Sequence, residues 1–202
     1  MPSKTNQSAS GGKNASFKGQ PTCGAGMEIT QSKLADIDQI LSLYDAATAL
    51  QASKNMTQWP KIDRNLVILE LSEGRQWKMV HQGQIVCVWV VAFEDPQIWG
   101  ERSNQPSVFI HRIANHPQFR GRGFVGNIVD WAKDLYSDGP IQFIRLDTVG
   151  HNEGLIQVYT SHGFTLLDPV ELEDTTGLPS HYNDGKVYLF EIELENSSHP
   201  NA

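Results

Sequence analysis

The segment from Ile110 to Ala132 constrains this chain most. It reads as a strand, a glycine-rich turn and an amphipathic helix, with a further strand at Phe143 to Thr148. That strand–helix–strand unit sits mid-chain with hairpins on either side. The surrounding pattern gives the order β-α-α-β-β-β-α-β-α-β-β. Met27 to Thr30 is a short strand, and Leu34, Ile37, Ile40, Leu41 and Tyr44 recur at helical spacing. Trp59-Pro60 breaks the pattern, and Asp63 is placed to N-cap a second helix, Arg64 to Glu73, that stops at Gly74. Trp77 to His81 and Ile85 to Phe93 form a hairpin around Gln82-Gly83-Gln84. A polar loop leads to a strand at Ser107 to Asn115, and a helix runs from Arg122 to Ser137. A short helix, Asn152 to His162, precedes the last strands, Phe164 to Val170 and Lys186 to Leu194. The expected fold is α/β (α+β), with a mixed, mostly antiparallel sheet and helices on both faces.

Composition removes several function classes. The chain has 202 residues, with 16 Lys plus Arg against 23 Asp plus Glu, a net charge of -7. A nucleic-acid binder needs a basic footprint, so nucleic acid is not an expected partner. The longest apolar run, Ile85 to Phe93, has strand length and is too short to cross a membrane. Cys23 lies in a polar stretch and Cys87 in the apolar run, so neither a disulfide nor a zinc-ligand spacing is expected. The expected location is the cytoplasm. Residues 1–26 are rich in Ser, Gly, Asn and Lys with no acid, and read as a disordered extension. Residues 27–195 form the expected domain and 196–202 a tail.

The chemistry concentrates at the glycine turn. Gly121, Gly123 and Gly126 leave backbone uncovered where a helix begins, so N–H groups there can face a phosphate, aided by the helix dipole. Arg120 and Arg122 add positive charge. No Lys-Ser or Lys-Thr follows, which excludes a Walker loop. The glycines fit G-x-G-x-x-G, and Asp147 lies roughly where a dinucleotide fold places its acid, but the unit lies mid-chain where that fold puts it first. A tight turn with no ligand is the bland alternative.

Arg120-Gly-Arg-Gly-Phe-Val-Gly126, after Ile113-Ala-Asn-His-Pro117, resembles the acyl-CoA-binding motif [Q/R]-x-x-G-x-[G/A] of the GNAT superfamily of N-acetyltransferases. A frame from Gln118 fits every letter. The frame from Arg120 departs at Val125 but brings Ile128 and Val129 to the two apolar positions that the family shows eight and nine residues on. Helix periodicity favours Arg120. A second motif, N-x-x-A-x-x-x-Y-x-x-x-G-F, is matched by Asn152, Tyr159, Gly163 and Phe164, with Leu155 at the alanine position. The resemblance spans about residues 27–194.

The resemblance implies a sheet in which two parallel strands, here Ser107 to Asn115 and Phe143 to Thr148, splay apart to admit the pantetheine arm of acetyl-CoA. Ile113, Ala114 and Asn115 would present backbone to that arm, and Arg120, Gly121, Arg122, Gly123, Phe124, Val125 and Gly126 would hold the pyrophosphate. A backbone N–H near Ile113 would polarise the thioester carbonyl. Tyr159 matches the family's general acid and Asn152 a position that helps hold CoA. His111 is the candidate base, with Glu94 and Asp95 as alternatives and His116 read as a loop residue. Trp59, Trp99 and the segment from Leu178 to Tyr182 are candidate walls of an acceptor pocket. The expected activity is direct acetyl transfer from acetyl-CoA to a primary amine, without a metal, in a possible homodimer. The alternative is a non-catalytic acyl-CoA-binding or sensing protein.

Overall fold

The computed structural model describes residues 22–23, 26–183 and 185–195. Its strands are β1 (Thr22–Cys23), β2 (Met27–Gln31), β3 (Gln76–His81), β4 (Gln84–Ala92), β5 (Ser107–Asn115), β6 (Phe143–Val149), β7 (Thr165–Leu166) and β8 (Val187–Glu193). Its helices are α1 (Ile37–Ser53), α2 (Arg64–Ser72), α3 (Pro96–Trp99), α4 (Phe124–Tyr136) and α5 (Glu153–Ser161). The eight strands form one sheet in the order β1-β2-β3-β4-β5-β6-β8-β7. Every neighbouring pair is antiparallel except β5 and β6, as a strand–helix–strand connection requires.

The expected element order holds, with local departures. Most of residues 1–26 and all of 196–202 lie outside the described residues. Thr22 and Cys23, expected to lack structure, pair with Glu28 and Met27. That pairing uses only backbone groups along the open edge of β2, which a polar composition does not forbid. The polar loop after β4 holds α3, started by Pro96 at the position where its missing N–H costs nothing, and then a 3-10 turn at Gly100–Asn104. The strand expected from Phe164 to Val170 shrinks to β7, with Val170 bridging singly to Val187.

The two faces of the sheet bury different cores. On one face α4 and α5 cover Met79, Trp89, Val108, Ile110, Ile144 and Leu146. The indole of Trp131 packs there against Trp77 at 4.7 Å and Trp89 at 5.2 Å, in tilted and edge-on arrangements that aromatic rings favour. On the other face Ile40, Leu43 and Tyr44 of α1 and Val67 of α2 cover Ile85, Val88 and Ala114. Farther along that same face, Ile98 and Trp99 pack with Phe109, Leu189 and the loop residues Leu178 and Tyr182. Asp63 caps α2 by accepting from Asn65 N–H at 2.7 Å. Cys87 is a free, buried thiol.

Two irregularities shape what lies between β5 and β6. Their ladder has three pairs, Ser107 with Phe143, Val108 with Ile144 and Phe109 with Arg145. Beyond these, β5 follows β4 and β6 follows β8, so the strands part. The ladder of β4 with β5 also shifts, so that Arg112 and Ile113 together oppose Trp89. Arg112 takes a left-handed φ of 52° to make this bulge, a conformation costing a non-glycine residue about 1 kcal/mol or more. The Arg112 guanidinium is fixed by an ion pair with the buried Glu70 and lies 5.3 Å from the Tyr44 ring centroid.

Candidate active site

Beyond Phe109 and Arg145, the parted strands line a cavity of about 1010 Å³. Of the residues singled out by sequence, His111, Ile113, Asn115, Arg120, Asn152 and Tyr159 line it, as do Glu94, Asp95 and Trp59. Trp99 does not: it is buried against Phe109 and under the Arg145 guanidinium, because an indole enclosed by apolar neighbours stays in the core. Leu178, Pro179, His181 and Tyr182 form part of the wall. His116 is a loop residue whose ring accepts from Gln118 N–H at 3.3 Å.

At the glycine turn, Gly121 and Gly123 take φ values of 76° and 72°, and a Cβ at either would meet nothing within 4 Å. Their conformation, not crowding, calls for glycine. Gly123 is the N-cap of α4 and, unlike Asp63 of α2 and Asn152 of α5, supplies no side-chain cap. No side chain therefore caps the first turn of α4, where Gly126 N–H donates to Gly123 O at 3.0 Å, and an uncapped helix start of this kind suits an anion. Arg120 hydrogen-bonds the carbonyl of Ala46 in α1 at 2.8 Å, and Arg122 lies over the Phe119 ring. Phe124 and Val125 turn into the core, which explains why a valine is accommodated where the motif has Gly or Ala. A Cβ at Gly126 would meet the His162 ring at 2.9 Å, so this glycine makes room for packing. Ala114 packs its methyl on α1, leaving its backbone to serve the strand. Asn152 caps α5 by accepting from Leu155 N–H at 3.1 Å.

The densest chemistry lies across the split. His111 and Asp147 each sit two residues beyond the last ladder pair, on the same face of their strands. His111 Nδ1 is 3.8 Å from Asp147 Oδ1, and His111 Nε2 is 3.8 Å from Asp95 Oδ2. The Tyr182 hydroxyl donates to Asp147 Oδ2 at 2.7 Å. Asp95 Oδ2 is buried without a hydrogen-bond partner. Burial and the neighbouring Asp147 push the Asp95 carboxyl up to about 7, and burial pushes Asp147 up to about 6. Burial, with the nearby Arg112 and Arg75, lowers His111 to about 4. At neutral pH the imidazole is therefore uncharged, with one ring nitrogen free to accept a hydrogen bond, and the three groups share protons as one set. Burial and the charge of Asp147 raise the Tyr159 hydroxyl far above its ordinary range, so it keeps its proton.

Asp95, His111 and Asp147 are the one His/Cys/Asp/Glu group among the described residues close enough together to hold a metal ion, with one donor atom from each lying within 4.8 Å of the others. The sequence pointed to Asp147 only for a nucleotide site and to Tyr182 only as part of the Leu178–Tyr182 segment beside an acceptor pocket. No helix among the described residues is long and apolar enough to cross a membrane.

Comparisons with known proteins agree with this geometry. The model of the Acetyltransferase (GNAT) family matches residues 42–164. A protein of Bacillus subtilis (strain 168) described as uncharacterized N-acetyltransferase YesJ is 27% identical over 73 residues, which is 36% of this chain and 41% of that protein. A GNAT-family acetyltransferase structure from Listeria monocytogenes 4b F2365 superposes with a TM-score of 0.69 at 20% identity, covering 87% of this chain and 100% of that one. The structure of yncA, a putative acetyltransferase from Salmonella typhimurium with its cofactor acetyl-CoA, superposes at 0.62 with 15% identity over 88% of this chain and 99% of that one.

Proposed function

Because the chain belongs to the GNAT acetyltransferase family, we propose that it transfers an acetyl group from acetyl-CoA directly to the primary amine of a small acceptor. The observation that carries this reading is the split between β5 and β6, which holds a neutral imidazole on one strand and Tyr159 at the same cavity. The relative from Salmonella typhimurium holds acetyl-CoA on the same fold. The residues here fit that molecule: uncapped α4 amides suit its pyrophosphate, and the edge of β5 from Ile113 to Asn115 suits its pantetheine arm. Bound there, acetyl-CoA supplies an activated acetyl group.

The protein's residues do the rest. The bulge at Arg112–Ile113 turns a backbone N–H out of the ladder, to donate to the acetyl oxygen as it gains charge. The acceptor amine enters protonated, since a free alkyl amine has a pKa of about 10.4. Asp95 takes the first of its protons. His111 takes the second once the carbon–nitrogen bond forms and the carbon–sulfur bond breaks. Tyr159 returns one proton to the leaving sulfur and is reprotonated from His111, while Asp95 releases its proton to water. One amide, one free thiol and one proton result.

The test is release of free thiol from acetyl-CoA across a panel of small primary amines. We expect turnover with at least one amine, and a Tyr159→Phe variant with kcat reduced about 10²-fold or more and CoA affinity little changed. An unchanged kcat removes Tyr159 from the mechanism. CoA binding without thiol release from any amine favours a binding or sensing protein.

A further inference from the structure

We infer that Asp95, His111 and Asp147 form a three-point seat for the acceptor as a primary ammonium ion, and that Tyr182 is the residue that positions it. This rests on the acetyltransferase reading above. One donor atom from each of the three residues lies within 4.8 Å of the others. A nitrogen shared by three atoms so spaced can lie within about 2.8 Å of each, the reach of a charge-assisted hydrogen bond. A primary ammonium has three N–H donors, one for each.

The charges point to the same occupant. Asp147 has a side chain only 3% exposed, and Asp95 one only 14% exposed. Among the described residues neither has a Lys or Arg ion-pair partner; their one ionic neighbour is His111. Elsewhere the protein pairs its buried charges: Arg112 with Glu70, and Arg145 with Glu191 at 3.0 Å. Two buried carboxylates left without a cation, one with an unpartnered oxygen, are completed by a cation that arrives with the substrate.

Tyr182 acts through Asp147. Its hydroxyl engages Oδ2, which leaves Oδ1 turned toward His111. The tyrosine is held in turn by its loop: Leu178 and Tyr182 pack with Ile98 and Trp99, and Gln97 Nε2 donates to Thr176 O at 2.9 Å. Asp95 and Tyr182 thus belong to two segments that brace each other at the acceptor end of the cavity. A secondary amine brings one N–H fewer and puts carbon against a buried acceptor, which is a costly mismatch.

The experiment compares kcat/KM for the best primary amine of the thiol-release panel with that for its N-methyl derivative. The wild type should favour the primary amine by about 10- to 100-fold, the worth of one hydrogen bond to a charged group. Asp147→Asn and Tyr182→Phe should cut that preference by about tenfold or more while leaving KM for acetyl-CoA unchanged. A merely structural tyrosine would lower both amines equally or disturb the acetyl-CoA KM. Equal use of the two amines by the wild type, or a ratio untouched in both variants, overturns the seat and leaves the acetyltransferase reading standing. No thiol release from any amine overturns both.

Discussion

At the residue scale, a sign can be assigned to the charge at Asp95. Its carboxyl is held at about 7 by burial and Asp147, against an ordinary 3.8. A raised carboxyl favours the fold in its protonated form. Stability from this group is therefore present below pH 4 and lost as pH rises through 7. Asp95→Asn removes that loss, so it should raise Tm at pH 8 by roughly a few degrees and make little difference near pH 4. Thermal melts at both values check this; a lower Tm at pH 8 would mean that the carboxylate is stabilised by a partner. The same variant should be slower in acetyl transfer, because a residue that weakens the fold is serving the reaction. His111 and Tyr159 were legible as candidates from motif and strand position, and both line one cavity. Asp147 was not legible as a site residue, because nothing local shows the register in which β5 and β6 pair. The parallel register of β5 and β6 sets residues 36 positions apart in the chain side by side, and the split opens the space around them.

At the scale of elements, the turn into α4 was legible because its signals are local. Glycines at fixed spacing and an apolar stripe starting at Phe124 need no partner to be read. The 3-10 turn that carries Tyr182 has no periodicity, and α3 is only four residues long, so neither announces itself in the sequence. The α4 turn supports a controlled comparison. Gly123 and Gly83 have φ values of 72° and 78°, with open space where a Cβ would go. Alanine at either should cost about 1–2 kcal/mol through backbone strain alone. Only Gly123→Ala should also weaken CoA binding, because Gly123 opens α4, whereas Gly83 turns the hairpin between β3 and β4. Equal CoA affinity in the two variants would show that the α4 turn does not carry the pyrophosphate.

At the scale of the molecule, an eight-stranded sheet carries helices on both faces, and its one parallel pair parts after three residue pairs. Two anchored features flank that gap. The Arg145 guanidinium, fully buried, binds Glu191, the carbonyl of Arg102 and the Ser107 hydroxyl at the foot of the split. The Arg112 bulge, tied to Glu70, bends β5 at its upper part. The mixed sheet, the helix placement and the splayed pair were all foreseeable from the order of elements and the family motifs; the Leu178–Tyr182 segment was foreseeable too, but its packing on Ile98 and Trp99 was not, because it comes from loops packed on loops. The account as a whole stands on that gap receiving coenzyme A. Calorimetric titration of the whole protein with CoA measures it directly. Saturable binding of one CoA per chain, weakened by Gly123→Ala, is the expected result. Absence of any saturable heat up to millimolar CoA would contradict it.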